Sequence, residues 1–106
     1  MGESVTVVVL VPEGGSMAQL LLSGDLDLDA SAVLRPAVTR ILSDPAVRRI
    51  EIDVALVSFC DSSGLGALVE AYRQAAGLGV PLHLTQVGSL LGKVLTAAGL
   101  RRLLST

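Results

Sequence analysis

The chain has 106 residues, 51% of them apolar and only 17% charged, which fits one domain with an aliphatic core and excludes an intrinsically disordered segment. With one Phe, one Tyr and no Trp, it has almost no rings to stack on bases or sugars. Ten acidic residues against eight basic ones give a net charge of −2 with no basic block, so nucleic acid is not an expected partner.

Val5 to Val11 is β-branched and almost wholly apolar, the pattern of a strand covered on both sides or packed against a partner. Pro12-Glu-Gly-Gly-Ser16 breaks it, and Met17 to Ser23 returns as a second strand, so the two are expected as an antiparallel hairpin. Gly24 to Asp29 is expected as a loop. From Ala30 the period changes: Ala30, Val33, Leu34, Ala37, Val38, Ile41 and Leu42 form one helical stripe, with Asp29 or Ser31 as its cap. Pro36 removes a backbone donor and crowds the carbonyl of Ala32, so this helix is expected to start late or to kink there.

Arg48 to Val54 alternates as a strand, with Ile50, Ile52 and Val54 on one face. Asp61-Ser-Ser-Gly64 opens a second helix with Leu65, Leu68, Val69, Tyr72 and Ala76 as its inner face and Gly77 and Gly79 as its stop. Val80 to Gln86 is a further strand. Ser89 is expected to cap a third helix through Leu90, Leu91, Val94 and Leu95 to Gly99, and Leu100 to Leu104 adds a short apolar turn. The order β-β-α-β-α-β-α closes through right-handed parallel crossovers, which gives an α/β fold whose mixed sheet is led by the hairpin.

Most motifs that suggest chemistry fail a simple test. Asp25, Asp27 and Asp29 begin like a calcium loop, but the sixth and twelfth places hold Ala30 and Pro36 where Gly and a bidentate Glu are needed. Gly88-Ser-Leu-Leu-Gly-Lys-Val94 is one residue too short for a phosphate loop, and Val94 stands where a hydroxyl must reach magnesium. His83 is the only histidine, expected as a surface side chain, and Cys60 is the only cysteine, expected as a small hydrophobe. One cysteine makes no internal disulfide, and the longest apolar runs fall far short of the ~20 residues of a membrane helix. A cytoplasmic protein with no membrane span is expected, occupying residues 1–106 as a single domain.

Asp61-Ser62-Ser63-Gly64-Leu65-Gly66 is the informative segment. It sets two hydroxyls at the mouth of a helix, where backbone N–H groups and the positive dipole end gather, and two glycines leave the first turns uncovered. Such a place suits an anion or a docking partner; equally, it suits an N-cap whose glycines let the helix lie close to the sheet. A hydrolytic serine is disfavoured because no G-x-S-x-G elbow is present and the single His has no reason to lie beside it.

Three segments in order, Leu22-Ser-Gly-Asp-Leu-Asp-Leu28, Val47-Arg-Arg-Ile-Glu-Ile-Asp53 and Phe59-Cys-Asp-Ser-Ser-Gly-Leu-Gly-Ala-Leu-Val69, together with Gly99-Leu-Arg-Arg-Leu103, resemble the STAS domain family. Within it, the likeness is to bacterial anti-sigma factor antagonists. The resemblance implies a mixed four- to five-stranded sheet with helices packed on one side. It also implies phosphorylation of the serine after the Asp, here Ser62, by a partner that is both serine kinase and anti-sigma factor. Asp25, Asp27, Asp61, Ser62, Ser63, Gly64, Leu65 and Gly66 are then the expected partner-binding residues. The chain itself is expected to carry no catalytic residue, metal or cofactor, ATP belonging to the kinase, and to be a monomer or weak dimer. The alternative is a STAS scaffold subunit of a transporter or sensory complex. Pro36 and Val54-Ala-Leu-Val57 depart from the family pattern without touching Ser62.

Overall fold

The computed structural model describes residues 4–10 and 15–104. In chain order they form β1 (Thr6–Leu10), β2 (Met17–Leu26), α1 (Ala30–Leu42), β3 (Arg49–Cys60), α2 (Ser62–Ala76), β4 (Leu82–Thr85) and α3 (Ser89–Ala97), followed by a 3₁₀ turn over Arg101–Leu103. The sheet order is β1-β2-β3-β4, with β1 antiparallel to β2 and the other pairs parallel. This is the mixed, hairpin-led sheet expected. Leu104 adds a single parallel bridge to Leu84 on the far side of β4. Part of the expected Pro12 to Ser16 break, and Val11, lie outside the described residues.

β2 lies between two strands, and its alternate residues Ala18, Leu20, Leu22 and Leu26 are wholly buried. With Ile50, Ile52, Leu82 and Leu84 they make one apolar face of the sheet, on which Leu34, Val38 and Ile41 of α1 and Leu68 of α2 complete the core. Truncating any of these large side chains to alanine costs about 2–5 kcal/mol, because transfer and cavity terms add. The other face is less covered. Of the two expectations for β1, the second holds: it lies against the packed strand β2 and is not covered on both sides, with Val7 and Val9 half-buried while Val8 and Leu10 face outward.

β4, expected over Val80 to Gln86, is confined to Leu82–Thr85, and two strand ends run longer than expected. The segment from Gly24 is not all loop, since Gly24, Asp25 and Leu26 continue β2 and only residues 27–29 turn. β3 likewise runs beyond Val54 to Cys60. The cause is mutual: Gly24 pairs with Val57, Asp25 with Phe59 and Leu26 with Cys60, so each strand satisfies the other's backbone. β3 carries one extra residue between Asp53 and Leu56 and another, Ser58, between Val57 and Phe59. These bulges break the period-2 alternation that marks a strand in sequence.

α1 starts at Ala30 and runs through Pro36 to Leu42, so there is no late start. Neither Asp29 nor Ser31 caps it with a side chain. Asp27 does the work instead, its carbonyl accepting from the Ala30 N–H at 3.0 Å and its carboxylate from the Asp29 N–H at 3.1 Å. Ser31 donates to Glu70 on α2 at 2.9 Å. The inner face of α2 is Gly64, Ala67, Leu68, Ala71 and Ala75; of the residues expected there only Leu68 is buried, while Leu65, Val69 and Tyr72 are half-buried and Ala76 is exposed. Small residues on this face let α2 lie close to α1, its most extensive neighbour, and Gly64 lets the helix mouth lie on β2. Gly79 and Gly99, both at φ +74°, end α2 and α3 in left-handed turns closed by Val80 N–H to Ala75 C=O and Leu100 N–H to Leu95 C=O. At the start of α3, Gly88 occupies the cap position in place of Ser89, no side chain caps the helix, and only Leu95 of its expected apolar face is buried.

Candidate functional site

The parallel strands β2 and β3 end side by side, and the candidate residues gather at their C-terminal ends. The Asp61 N–H donates to the Leu26 carbonyl at 3.1 Å, tying the start of α2 to the end of β2. Asp25 and Asp27 flank that Leu26, with Asp25 paired to Phe59 across the sheet. The sheet thus assembles the acidic segment and the Asp61-Ser62-Ser63 segment at one corner, although 36 positions separate Asp25 from Asp61 in the chain.

Asp61 is the N-cap of α2. Its backbone is extended, and its Oδ1 accepts the Gly64 N–H at 2.9 Å and the Ser63 hydroxyl at 2.6 Å. These two bonds hold the carboxyl below its ordinary value of 3.8, the Ser63 hydroxyl contributing most and the Gly64 N–H next. The two serines therefore differ in kind. Ser63 is half-buried with its hydroxyl committed to Asp61, whereas Ser62 is exposed and its hydroxyl makes no hydrogen bond among the described residues.

The two glycines also part company. A methyl group on Gly64 would stand 2.0 Å from the Leu26 carbonyl oxygen, so this position is glycine because the helix mouth is pressed onto β2. Gly66 is exposed with nothing within 4 Å of such a carbon. Its lack of a side chain serves no contact within the described chain.

From Ser62 a shallow groove of about 430 Å³ runs along the outer face of α2 past Leu65, Gly66, Val69 and Arg73, with Leu100 on its other bank. Positions 62, 66, 69 and 73 share one helix face, a spacing visible in the sequence; the approach of Leu100 was not. Glu70 stands at the rim. It accepts from Ser31 and from Arg35, whose Nη2 lies 2.8 Å from Oε2, and the Arg35 bond, then the Ser31 bond, lowers its pKa from the ordinary 4.5. Gln74 donates to Thr39 at 2.6 Å, a second clasp between α2 and α1.

The surroundings are poor in reactive groups. Burial, and then the Asp61 charge, push the Cys60 thiol above its ordinary 9.0, so the nucleophilic thiolate is scarce at neutral pH. His83 is half-buried on β4 opposite Glu51, while Ser62 follows the far end of β3, roughly 25 Å away at strand rise. A general base must come within about 3 Å of the proton it takes. Among the described residues no group of three or more His, Cys, Asp or Glu is placed to hold a metal ion, and no helix is long and apolar enough to cross a membrane.

This chain matches the family model described as "Mlab, STAS domain" over residues 9–105. It belongs to the STAS domain family. The fold is similar to that of Bacillus SpoIIAA, a cell fate determinant solved in its phosphorylated form, with 22% identity, a TM-score of 0.72, and 94% of this chain and 89% of that one covered. An anti-sigma factor antagonist from Mycobacterium paratuberculosis is similar at 22% identity and a TM-score of 0.72, covering 95% and 83%. A sulfate transporter family protein from Wolinella succinogenes is similar at 21% identity and a TM-score of 0.73, covering 91% and 75%. Likeness at these identities speaks for the fold, and in this STAS domain the hairpin-led sheet and the helix following β3 are its shared frame. Ser62 opens that helix.

Proposed function

We propose that this STAS domain is an anti-sigma factor antagonist switched by phosphorylation of Ser62. Unmodified, it docks through the mouth of α2 and the Asp25–Asp29 segment onto an anti-sigma factor that is also a serine kinase, and so frees a sigma factor. The observation that carries this reading is the contrast between the exposed, uncommitted hydroxyl of Ser62 and the Ser63 hydroxyl held by Asp61. A kinase needs an accessible oxygen, and this corner offers one. Asp61, Ser63, Gly64, Leu65 and Gly66 then shape the docking surface around it, and the chain acts as substrate of the kinase, which brings the ATP.

The switch follows from charge. A phosphate on Ser62 adds about −1.5 to −2 beside Asp61, Asp25 and Asp27, and enclosing that charge in a fitted interface costs both repulsion and desolvation. A penalty of about 4 kcal/mol is a factor of about a thousand in affinity. The deciding experiment incubates the protein with the purified anti-sigma serine kinase of the same genome and ATP, then maps the phosphate by mass spectrometry. One phosphate on Ser62 is expected; an unmodified peptide, or a phosphate elsewhere, removes the reading.

The similarity to a sulfate transporter family protein favours one alternative, a scaffold subunit of a transporter or sensory complex in which Ser62 is incidental. That alternative expects Ser62→Ala and Ser62→Asp to behave like the parent and the chain to purify with transporter subunits.

A further inference from the structure

β3 is paired unequally on its two sides. On the β2 side the pairing reaches Cys60, but on the β4 side it stops at Asp53, opposite Thr85. The two extra residues bend the second half of β3, and Gln86, at φ 56°, turns the chain out of β4, so α3 stands off from the strand it follows. The result is a cleft of about 600 Å³ between residues 54–60 and the first half of α3. The Ala55 N–H is taken by the Asp53 carboxylate at 2.9 Å; beyond it, no described backbone hydrogen bond reaches β3 from the α3 side.

Exposed strand edges are normally blunted by charge, by proline or by a covering element. Ala55 to Cys60 has neither a charge nor a proline, and α3 leaves the edge uncovered. The walls hold Val57, Phe59, Leu90, Leu91 and Val94, with Phe59 54%, Leu90 77% and Val94 42% exposed, and among the described residues no charged side chain lines the cleft. An occupant must therefore satisfy main-chain donors and acceptors on one side while presenting apolar side chains on the other. A charged segment would lose its hydration with no partner in return. The cleft also leads directly into the surface around Ser62, since Cys60 is both its last strand residue and the residue before Asp61.

We propose that this cleft is a second docking surface, in which an extended, uncharged apolar segment of the partner protein adds to β3 as a strand beside residues 56–60. The partner is the one that engages Ser62, so the proposal rests on the function proposed above. It assigns the two surfaces different roles: Ser62 sets whether the complex forms, and the β3 edge supplies contact that phosphorylation does not alter directly.

The test measures binding of the purified anti-sigma serine kinase to the parent, Leu90→Glu, Val94→Glu, Ser58→Pro and Ser62→Asp proteins, with hydrogen exchange on the parent complex. Leu90 and Val94 are exposed, and Ser58 is the unpaired bulge residue, so thermal melts close to the parent's establish that these variants fold. The cleft variants are expected to weaken binding at least tenfold each, and those amides of residues 56–60 that point into the cleft, not toward β2, to exchange at least tenfold more slowly in the complex. Unchanged affinity and unprotected amides, with Ser62→Asp still breaking the complex, would overturn the cleft and leave the switch intact. Weakened cleft variants with a fully binding Ser62→Asp would keep the cleft and remove the switch. Slowed exchange of these amides at high concentration of the protein alone would assign the edge to a second copy and overturn the proposal.

Discussion

Replacing Gly64 with alanine puts a methyl carbon 2.0 Å from the Leu26 carbonyl oxygen, 2.4 Å from its carbonyl carbon and 2.8 Å from its Cβ. Ordinary contact begins near 3.4 Å, so backbone must move by about 1.4 Å, and no flexible side chain is there to give way. That motion separates the mouth of α2 from β2 and breaks the Asp61 N–H to Leu26 bond, now 3.1 Å. Overpacking of this kind costs about 1–3 kcal/mol, and the lost hydrogen bond adds about 1 kcal/mol. At about 4–8 °C per kcal/mol for a domain near this size, Gly64→Ala is expected to lower Tm by about 8–30 °C. Gly66→Ala is the control within the same helix: with open space around it, it gains about 0.5–1 kcal/mol of helix propensity and raises Tm by a few degrees. Thermal and urea unfolding followed by circular dichroism read both. A Gly64→Ala protein within about 0.5 kcal/mol of the parent, or a Gly66→Ala protein as destabilised as Gly64→Ala, would refute the close-approach argument.

Asp61→Ala removes the cap that accepts from Gly64 and frees the Ser63 hydroxyl, and is expected to lower the midpoint of urea unfolding. The folded pKa of Asp61 lies below 3.8, so the cap's contribution is complete above the unfolded value and fades as pH falls through the folded one; the Gly64 amide shift, followed by NMR, should report a midpoint below 3.8. A midpoint at or above that value would contradict the capping geometry. Glu70→Gln should leave the midpoint of urea unfolding close to the parent's, because Arg35 and Glu70 are 61% and 41% exposed and solvent screens their attraction.

How much of this was legible in the sequence depended on whether a residue's role was local. The stripe of α1, the cap-and-hydroxyl pattern at Asp61–Gly64 and the alternation of Ile50, Ile52 and Val54 are local signals, and each placed its element. The ends of β2 and β3 are not local: they exist because residues 24–26 and 57–60 pair with each other, and the bulges in β3 erase the alternation that would have announced it. The inner face of α2 was legible only at Leu68, since periodicity favours large side chains while close packing on α1 and on β2 selects small ones. At the candidate site, Asp61, Ser62 and Ser63 stood together in the chain. That Ser63 is held by Asp61 while Ser62 is left exposed depends on rotamers and on the backbone of the cap, and Leu100 reaches the groove only through the path of the chain after α3.

In the proposed function, the charge state of Ser62 decides whether the partner binds. Calorimetric titration of the anti-sigma serine kinase with the parent, Ser62→Ala, Ser62→Asp and Ser62-phosphorylated proteins tests it directly. The account predicts that Ser62→Ala binds like the parent, that Ser62→Asp binds at least tenfold more weakly, and that the phosphorylated protein loses about a thousandfold, the equivalent of about 4 kcal/mol. Equal affinities across the four proteins would contradict it.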